Sequence, residues 1–568
     1  MAKHEKFDLE LSAKLGMNYL TSMVDQQYDY LPYWLIQITS SPAWARHCRV
    51  DDAELVASWY EALWCVQQIL DTDEGSEVLE GFKKHIYRHW EEGLRYHEPY
   101  PWTHTLHHSF HEDAYLLAAL VRIIETSNDP ESEKLAAGLV RALRRLVYRR
   151  ERRCFWSGDS PIQEPVYEFP NDVYLKGGGF DFRCITGRGE QAIRNGMMLH
   201  PLTRHWQITG DKVSLDLAEG IANHLIGMSR YFNYRGEFFG HVHSAVWVAA
   251  GLVLLGRLRD REEYVLFGRR IYDYVKSLSS EFGWVPEYAQ WHPMTEEHCE
   301  TCCIRDMILC GFELIDAGET EPYDLINRFT RNQLYEQQVK TGSFVGVDNN
   351  RTPEDPGITY RNIDQRVVGG WSGGAEPNSI SLTRFRSIAG CCVGTAPQAL
   401  YQVWSRIAQE SAGTVTVNFP IDHSGSLCRI ETGYPNEGVL NVSAGKAGNY
   451  CIRIHPFMKN NLTVCLNNGN IPLKMNGGCL MVEGVEENDT ITLRHSLEPR
   501  ETRENVRGID IDITWKGSDV VSMDPPGEPL RLYQRVAGAE KEIPPPPEPS
   551  EEITEIDAKP TETTGREK

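Results

Sequence analysis

The chain has 568 residues, of which 41% are hydrophobic and 24% are charged, a balance typical of a globular protein with two or three domains. Its 80 acidic residues outnumber its 58 basic residues, so the formal net charge is −22. Because binding to nucleic acids or anionic membranes needs clustered Lys and Arg, this charge argues against both as partners.

The N-terminus and the cysteines indicate the compartment. Residues 1–6 begin no apolar segment, and we find no run of about 18 apolar residues that would span a membrane. The 14 cysteines include two adjacent pairs, Cys302 with Cys303 and Cys391 with Cys392. Adjacent cysteines without an export signal favour reduced thiols, so we expect a cytoplasmic protein.

Apolar residues recur at helical spacing through most of residues 1–411. Helices are predicted from Asp51, from Glu112 and over further segments: 131–148, 190–208, 213–229, 241–257, 261–279, 302–316, 321–336 and 394–409. Ten or more amphipathic helices fit a toroid of paired helices, the (α/α)6 barrel. A helical solenoid is the alternative, although the sequence has no fixed period.

From about Gly413 the apolar pattern changes to period two, which predicts short strands separated by Asn-Gly and Gly-Gly turns. We therefore predict an antiparallel β-sandwich over residues 412–537. Residues 538–568 contain four consecutive prolines and then mixed Glu, Thr and Lys, and we predict a disordered tail. The expected fold class is mainly α, with a β domain.

Two short motifs concentrate metal-ligating side chains. Residues 298–303 read His-Cys-Glu-Thr-Cys-Cys, and residues 390–394 read Gly-Cys-Cys-Val-Gly. Zinc binds Cys sulfur and carboxylate oxygen in a tetrahedral shell, so Glu300, Cys302, Cys391 and Cys392 are candidate ligands. Glu300 can reach the same ion as Cys302 only if it precedes the predicted helix. A closed structural zinc site, or buried thiols without metal, are the alternatives.

These two motifs resemble those of glycoside hydrolase family 127, the β-L-arabinofuranosidases. Glu300-Thr301-Cys302 and Cys391-Cys392 match the family's motifs residue for residue. The resemblance implies a helical barrel followed by β-sandwich material. It also implies that Cys391 is the nucleophile and that the other three residues hold zinc with it. The sequence departs from the family at 393–395, where Val-Gly-Thr replaces the frequent Pro-Pro-Asn.

The same resemblance suggests further site residues. Glu287 is the nearest match to the family's acid/base glutamate, with Glu296 and Glu297 as rivals. His241 matches a histidine that contacts the sugar, and we expect His243 to orient sugar hydroxyls beside it. Trp371 lies in a loop resembling one that faces the substrate. Each histidine, and Trp371, can instead be a core residue.

Together these features predict a retaining glycoside hydrolase that uses Zn²⁺ and releases a terminal furanose such as β-L-arabinofuranose. Its partner would be a glycoside or oligosaccharide substrate, and a homodimer is left open. Two alternatives remain at this point. One is a non-catalytic carbohydrate-binding protein in which zinc has only a structural role. The other is a sugar lyase or epimerase on the same barrel.

Overall fold

A computed structural model describes residues 3–49, 52–103, 106–157, 160–181, 191–290, 298–380, 388–528, 530–538 and 541. Within these residues the chain forms thirteen α-helices: α1 Leu9–Ser22, α2 Asp52–Leu70, α3 Ser76–Tyr87, α4 Phe110–Ser127, α5 Pro130–Leu146, α6 Leu199–Thr209, α7 Lys212–Gly227, α8 Val242–Arg259, α9 Glu262–Leu278, α10 Thr301–Asp316, α11 Pro322–Phe329, α12 Ile363–Arg366 and α13 Gly390–Trp404. Two π-helical turns, Ala192–Gly196 and Thr330–Leu334, adjoin α6 and α11.

Six helices contact one another in a closed cycle, which we call the six-helix ring: α2, α4, α6, α8, α10, α13 and back to α2. The helices between them in the chain pack outside, since α3 contacts α2, α5 contacts α4, α7 contacts α6, α9 contacts α8 and α11 contacts α10. This alternation follows the sequence pattern, because α5 and α9 are amphipathic whereas α8 is buried almost all round.

α8 is long and apolar enough to span a membrane by length and composition alone. Most of it is buried against α6, α9 and α10, and its first turn carries His243. Burial against protein neighbours on several sides is typical of a core helix.

The helical part also contains short strands, which form a five-stranded sheet (β1, β2, β3, β12 and β14) and several two-stranded ribbons. Their bounds are β1 Val24–Asp25, β2 Leu31–Gln37, β3 Trp44–His47, β4 Trp90–Glu91, β5 Leu94–Arg95, β6 His107–Ser109, β7 Tyr148–Ser157, β8 Ser160–Glu168, β9 Val173–Leu175, β10 Gly240–His241, β11 Tyr288–Ala289, β12 Ile358–Thr359, β13 Ser379–Ile380 and β14 Ile388–Ala389.

The C-terminal part of the chain, from Ala408, is a β domain. Its strands are β15 Ala408–Ser411, β16 Thr414–Val417, β17 His423–Ser424, β18 Cys428–Thr432, β19 Val439–Ala444, β20 Gly448–Arg453, β21 Thr463–Leu466, β22 Gly469–Asn470, β23 Met475–Asn476, β24 Cys479–Val485, β25 Thr490–Arg494, β26 Pro499–Val506, β27 Ile509–Lys516, β28 Asp519–Asp524 and β29 Leu530–Arg531.

These strands form a five-stranded sheet in the order β15-β16-β20-β24-β23, a six-stranded sheet in the order β17-β18-β19-β25-β21-β22, and the meander β26-β27-β28. Alternate residues are buried along β16 and β19, as the period-two pattern predicts. The expectation of purely antiparallel pairing is wrong at one place. β16 and β20 pair in parallel, because a long connection carries the chain out through the other sheet between them.

A buried ion network joins the helical part to the β domain. Arg331 pairs with Asp519 at 2.7 Å, and Arg535 pairs with Glu336 at 2.8 Å and with Asp519 at 3.0 Å. All four side chains are almost completely buried. The predicted tail of 538–568 lies outside the described residues apart from Gly538 and Lys541.

Candidate active site

The starts of α10 and α13 meet inside the six-helix ring. Glu300 occupies the position before α10 in an extended conformation, with φ −91° and ψ 132°, so it precedes the helix as its proposed role requires. Cys302 lies in the first turn of α10, and Cys391 and Cys392 lie in the first turn of α13. The ligand atoms of these four residues all lie within 4.8 Å of one another.

The spacing of this four-residue cluster fits a single tetrahedral metal ion. Cys302 Sγ lies 3.5 Å from Cys392 Sγ, and Glu300 Oε1 lies 3.9 Å from the Sγ atoms of both Cys391 and Cys392. Two sulfurs bound tetrahedrally at about 2.3 Å from one zinc would be ~3.8 Å apart. Residues distant in sequence therefore form a group that can hold one metal ion.

Cys391 differs from the other members of the cluster. Its side chain is partly exposed, whereas Glu300, Cys302 and Cys392 are buried. Hydrogen bonds from the Cys302 and Cys392 thiols hold the pKa of the Cys391 thiol well below its usual range. Burial raises the pKa of both donating thiols. These hydrogen bonds favour the thiolate form of the cysteine that solvent can reach, at a helix start that also favours negative charge.

Glu300 is held as a carboxylate by its neighbours. Burial alone would raise the pKa of its carboxyl, but the hydrogen bond from His241 and the electrostatic interactions with His241 and His243 keep that pKa well below its usual range. His241 Nε2 lies 3.2 Å from Glu300 Oε2, and the Cys303 thiol lies 3.7 Å from the same oxygen. Cys303 therefore supports Glu300 and stands outside the cluster itself.

A two-stranded ribbon places Glu287 beside His241. β10 pairs with β11, with His241 opposite Tyr288, and the Val242 N–H donates to the Glu287 carbonyl at 2.8 Å. The ligand atoms of His241, Glu287 and Glu300 lie within 4.8 Å of one another. The Glu287 carboxylate contacts the His298 ring and is partly exposed. The rival candidates Glu296 and Glu297 lie outside the described residues.

The His243 side chain is more deeply buried than we expect for a residue that contacts the sugar. Its Nδ1 contacts the Asp306 carboxylate, and its Nε2 lies 2.9 Å from the Tyr115 hydroxyl. Because both ring nitrogens have protein partners and the residue is 4% exposed, His243 has no free atom for a sugar hydroxyl. The expected direct contact between His243 and the sugar is therefore wrong. His243 instead supports the residues of the cluster.

Trp371 is a second correction. Its side chain is completely buried, its indole N–H donates to the Leu334 carbonyl at 3.0 Å, and its ring lies against Gly16 of α1. An indole without exposed surface offers no face to a sugar ring. The neighbouring Ser372 carbonyl instead accepts a hydrogen bond of 2.7 Å from Thr301 at the start of α10, so this loop fixes the helix that carries Cys302.

Sequence reasoning missed two residues that contact this region. The Thr395 hydroxyl lies 3.3 Å from Cys302 Sγ, and the Tyr115 hydroxyl bonds His243 from across the six-helix ring. Thr395 was predictable, because it follows Cys392 by three residues in a helix and so shares its face. Tyr115 comes from α4, far away in sequence, and no local signal marks it.

Comparisons with known proteins agree with the fold. No family model matches this sequence, and no curated protein matches it. Among solved structures, the chain is similar to a GH127 β-arabinofuranosidase with a TM-score of 0.58 and 13% identity, covering 92% of this chain and 83% of that one. The resemblance to glycoside hydrolase family 127 expected from the cysteine motifs is confirmed at the level of the fold.

Two further solved structures give the same result. A GH127 β-L-arabinofuranosidase from Geobacillus stearothermophilus T6 has a TM-score of 0.53 and 13% identity, covering 90% of this chain and 80% of that one. A structure described as a glycoside hydrolase has a TM-score of 0.53 and 13% identity, covering 89% and 85%. The shared architecture thus extends over most of both the helical part and the β domain.

Proposed function

We propose that this protein is a retaining glycoside hydrolase that releases a terminal furanose such as β-L-arabinofuranose, with Cys391 as its nucleophile. One observation carries the proposal. Glu300, Cys302, Cys391 and Cys392 converge from two helix starts, and Cys391 is the partly exposed member. The fold similarity to structures described as β-arabinofuranosidases supports the sugar class.

The proposed cofactor is Zn²⁺, held by Glu300, Cys302, Cys391 and Cys392. Thiolate sulfur with one carboxylate is a donor set that suits zinc, and the observed spacing fits it. When bound, zinc would keep the Cys391 sulfur deprotonated at neutral pH. His241 and Cys303 would hold the Glu300 carboxylate in place from its other oxygen.

The proposed reaction has two displacements. In the first, Cys391 Sγ forms a bond to the anomeric carbon while the bond from that carbon to the leaving oxygen breaks, and Glu287 gives its proton to that oxygen. In the second, the Glu287 carboxylate takes a proton from water. The water oxygen then bonds to the anomeric carbon, and the C–S electron pair returns to sulfur. Two inversions give net retention.

Other residues in this proposal act by position. His241 would orient both Glu300 and a sugar hydroxyl, since its Nδ1 has no hydrogen-bond partner among the described residues. His243, tied to Asp306 and Tyr115, would support His241 and the start of α8.

We also propose the finer architecture. The six-helix ring with its outer helices would be an (α/α)6 barrel forming a catalytic domain over residues 1–411. The two larger sheets would form a β-sandwich domain over 412–537, followed by a tail over 538–568. The cytoplasm remains the proposed compartment, the free thiols being consistent with it, and a homodimer remains open.

The test of this function is Cys391→Ser. A serine hydroxyl is a far weaker nucleophile than a thiolate, so we expect turnover of a nitrophenyl β-L-arabinofuranoside to fall at least about 10³-fold. Circular dichroism should show the native fold. The matched control is Cys465→Ser, a partly exposed cysteine of β21, which should retain full activity.

Two outcomes would argue against the proposal. Full activity of Cys391→Ser would remove the sulfur nucleophile. The second outcome has two parts: neither the parent protein nor the control hydrolyses any furanoside or pyranoside, and Cys391→Ser and Cys302→Ser both melt far below the parent protein. In that case the cluster only stabilises the fold of the six-helix ring.

A further inference from the structure

A cavity lies inside the six-helix ring, and none of the four cluster residues lines it. It has a volume of about 610 Å³, including the part open to solvent, and all six ring helices line it. Its lining lies further along the ring helices than the cysteines do, since Arg305 is the fifth residue of α10 and Gln402 the thirteenth of α13, whereas Cys302 and Cys391 are the second residues of those helices. At 1.5 Å per residue these offsets are ~4.5 Å and ~16 Å, so the cavity extends from just beyond the cluster towards the C-terminal ends of α10 and α13.

Several buried polar atoms of this cavity's lining have no hydrogen-bond partner among the described residues. They are Trp247 Nε1 and Arg305 Nε, which are donors, and Gln402 Oε1, which is an acceptor; Arg122 Nε also lacks a hydrogen bond but lies 3.6 Å from the Glu61 carboxylate. Trp247 is 3% exposed and Arg305 is 2% exposed, so bulk water does not satisfy them. Because unpaired buried donors are costly, two of them beside one cavity point to a ligand rich in acceptor atoms.

The charges around the cavity favour such a ligand when Glu61 is neutral. Three arginines of the lining, Arg122, Arg204 and Arg305, face Glu61 and Glu125, and the Asp306 carboxylate pairs with Arg305 from outside the lining. Burial raises the pKa of the Glu61 carboxyl, which favours its neutral form and leaves one positive charge in excess.

The two central arginines are fixed in position. Arg122 lies over the Trp64 ring at 4.5 Å and within 3.6 Å of the Glu61 carboxylate. Arg305 lies over the Trp247 ring at 4.8 Å and pairs with Asp306 at 2.8 Å. Guanidinium groups held by stacking lose little freedom on binding an anion, and their planar forks suit oxyanions.

We propose that this cavity is a binding site for a small oxyanion, a phosphate or a carboxylate, held by Arg122, Arg305 and the Trp247 indole N–H. The site is separate from the proposed sugar chemistry and does not depend on it. Trp247 lies between the two regions, with its ring stacked on His243 and edge-on to Tyr115.

The test is isothermal titration calorimetry of the full chain at constant ionic strength, with inorganic phosphate, malonate and L-arabinose in separate titrations. We expect one saturable site for phosphate or malonate, which identifies the oxyanion class, and an unchanged affinity for that anion when L-arabinose is present in a repeat titration. Arg122→Gln should weaken that binding by about tenfold or more, because it removes a charge-assisted hydrogen bond. Trp247→Phe keeps the packing, removes one donor and should weaken binding several-fold.

The matched control is Arg144→Gln. Arg144 also pairs with a carboxylate, Asp216, and lies over an aromatic ring, Tyr167, but outside the cavity. Its loss should leave the affinity unchanged. The absence of saturable binding of either anion, binding of arabinose alone, or equal affinity in Trp247→Phe and the parent protein would overturn the proposal. Trp247→Phe decides the matter if Arg122→Gln does not fold.

Discussion

At the scale of residues, one member of the cluster differs from the other three in exposure. Cys391 is partly exposed and has a low thiol pKa, whereas Cys302 and Cys392 are buried thiols that donate to it. Such a division suits a site in which one ligand also reacts, because the other ligands keep the metal when that bond weakens. The contacts of Thr395 and Cys303 add a second layer around the sulfur and carboxylate ligands.

The metal itself gives a prediction at this scale. Elemental mass spectrometry of the purified protein should find one zinc ion per chain. Cys302→Ser should lose most of it, because removing one thiolate typically weakens such a site greatly. Cys465→Ser should keep the full amount. A parent protein without bound metal, purified in the absence of chelators, would contradict the proposed cofactor.

The sequence predicted the cluster better than its surroundings. Glu300, Cys302, Cys391 and Cys392 were identifiable because soft and anionic ligands are rare enough for two motifs to stand out. Trp371 was misplaced, because an aromatic residue in a glycine-rich loop has the same local pattern whether it packs inside or faces a ligand. The burial of His243 was not predictable, because its partner Tyr115 lies 128 positions away in the sequence and leaves no local signal.

At the scale of elements, α13 carries two cysteines into the ring and packs closely on α2. Gly394 makes this approach possible, because a Cβ at that position would lie 2.4 Å from the Ser58 hydroxyl oxygen and 2.8 Å from its Cβ.

Helix boundaries were predicted well where caps are clear, as at α4 and α5. There Asn128 turns left-handed and Asp129 accepts a hydrogen bond from the Ser132 N–H. The parallel pairing of β16 with β20 was not predictable, because alternation alone does not give strand direction.

Two glycine substitutions test the close packing of α13 on α2. Gly394→Ala should destabilise the protein by about 1–3 kcal/mol, because α13 and α2 must separate. Gly138→Ala in α5 is the matched control, since the nearest atom to its added Cβ is 3.9 Å away. That change should stabilise the protein by about 0.5–1 kcal/mol through helix propensity. Chemical denaturation measures both, and equal effects of the same sign would refute this account of the packing.

At the scale of the whole molecule, buried charges join the helical part to the β domain. Burial alone would raise the pKa of Glu336, but Lys340 and Arg535 lower it to about 2 from 4.5. A carboxyl whose pKa falls on folding stabilises the protein above its unfolded pKa, and this contribution disappears as pH falls through the folded value. Stability should therefore decline between about pH 4.5 and pH 2.

Glu336→Gln tests this network. At neutral pH it should cost on the order of 3 kcal/mol, because the buried Arg535 loses one of its two carboxylate partners and keeps only Asp519, and the acid dependence should become shallower. Glu483→Gln, which removes an exposed pair with Lys474, should change neither quantity measurably. An unchanged acid profile in Glu336→Gln, followed by denaturant titration at several pH values, would contradict the account.

The most direct test of the central claim is to trap the sugar on sulfur. In Glu287→Gln, a nitrophenyl furanoside should still react, because nitrophenolate leaves without a proton, but water should lack its base and release should be slow. Peptide mass spectrometry after brief incubation should find one pentose on the peptide containing Cys391. A pentose on a carboxylate peptide, or continued turnover with no covalent adduct, would contradict the account.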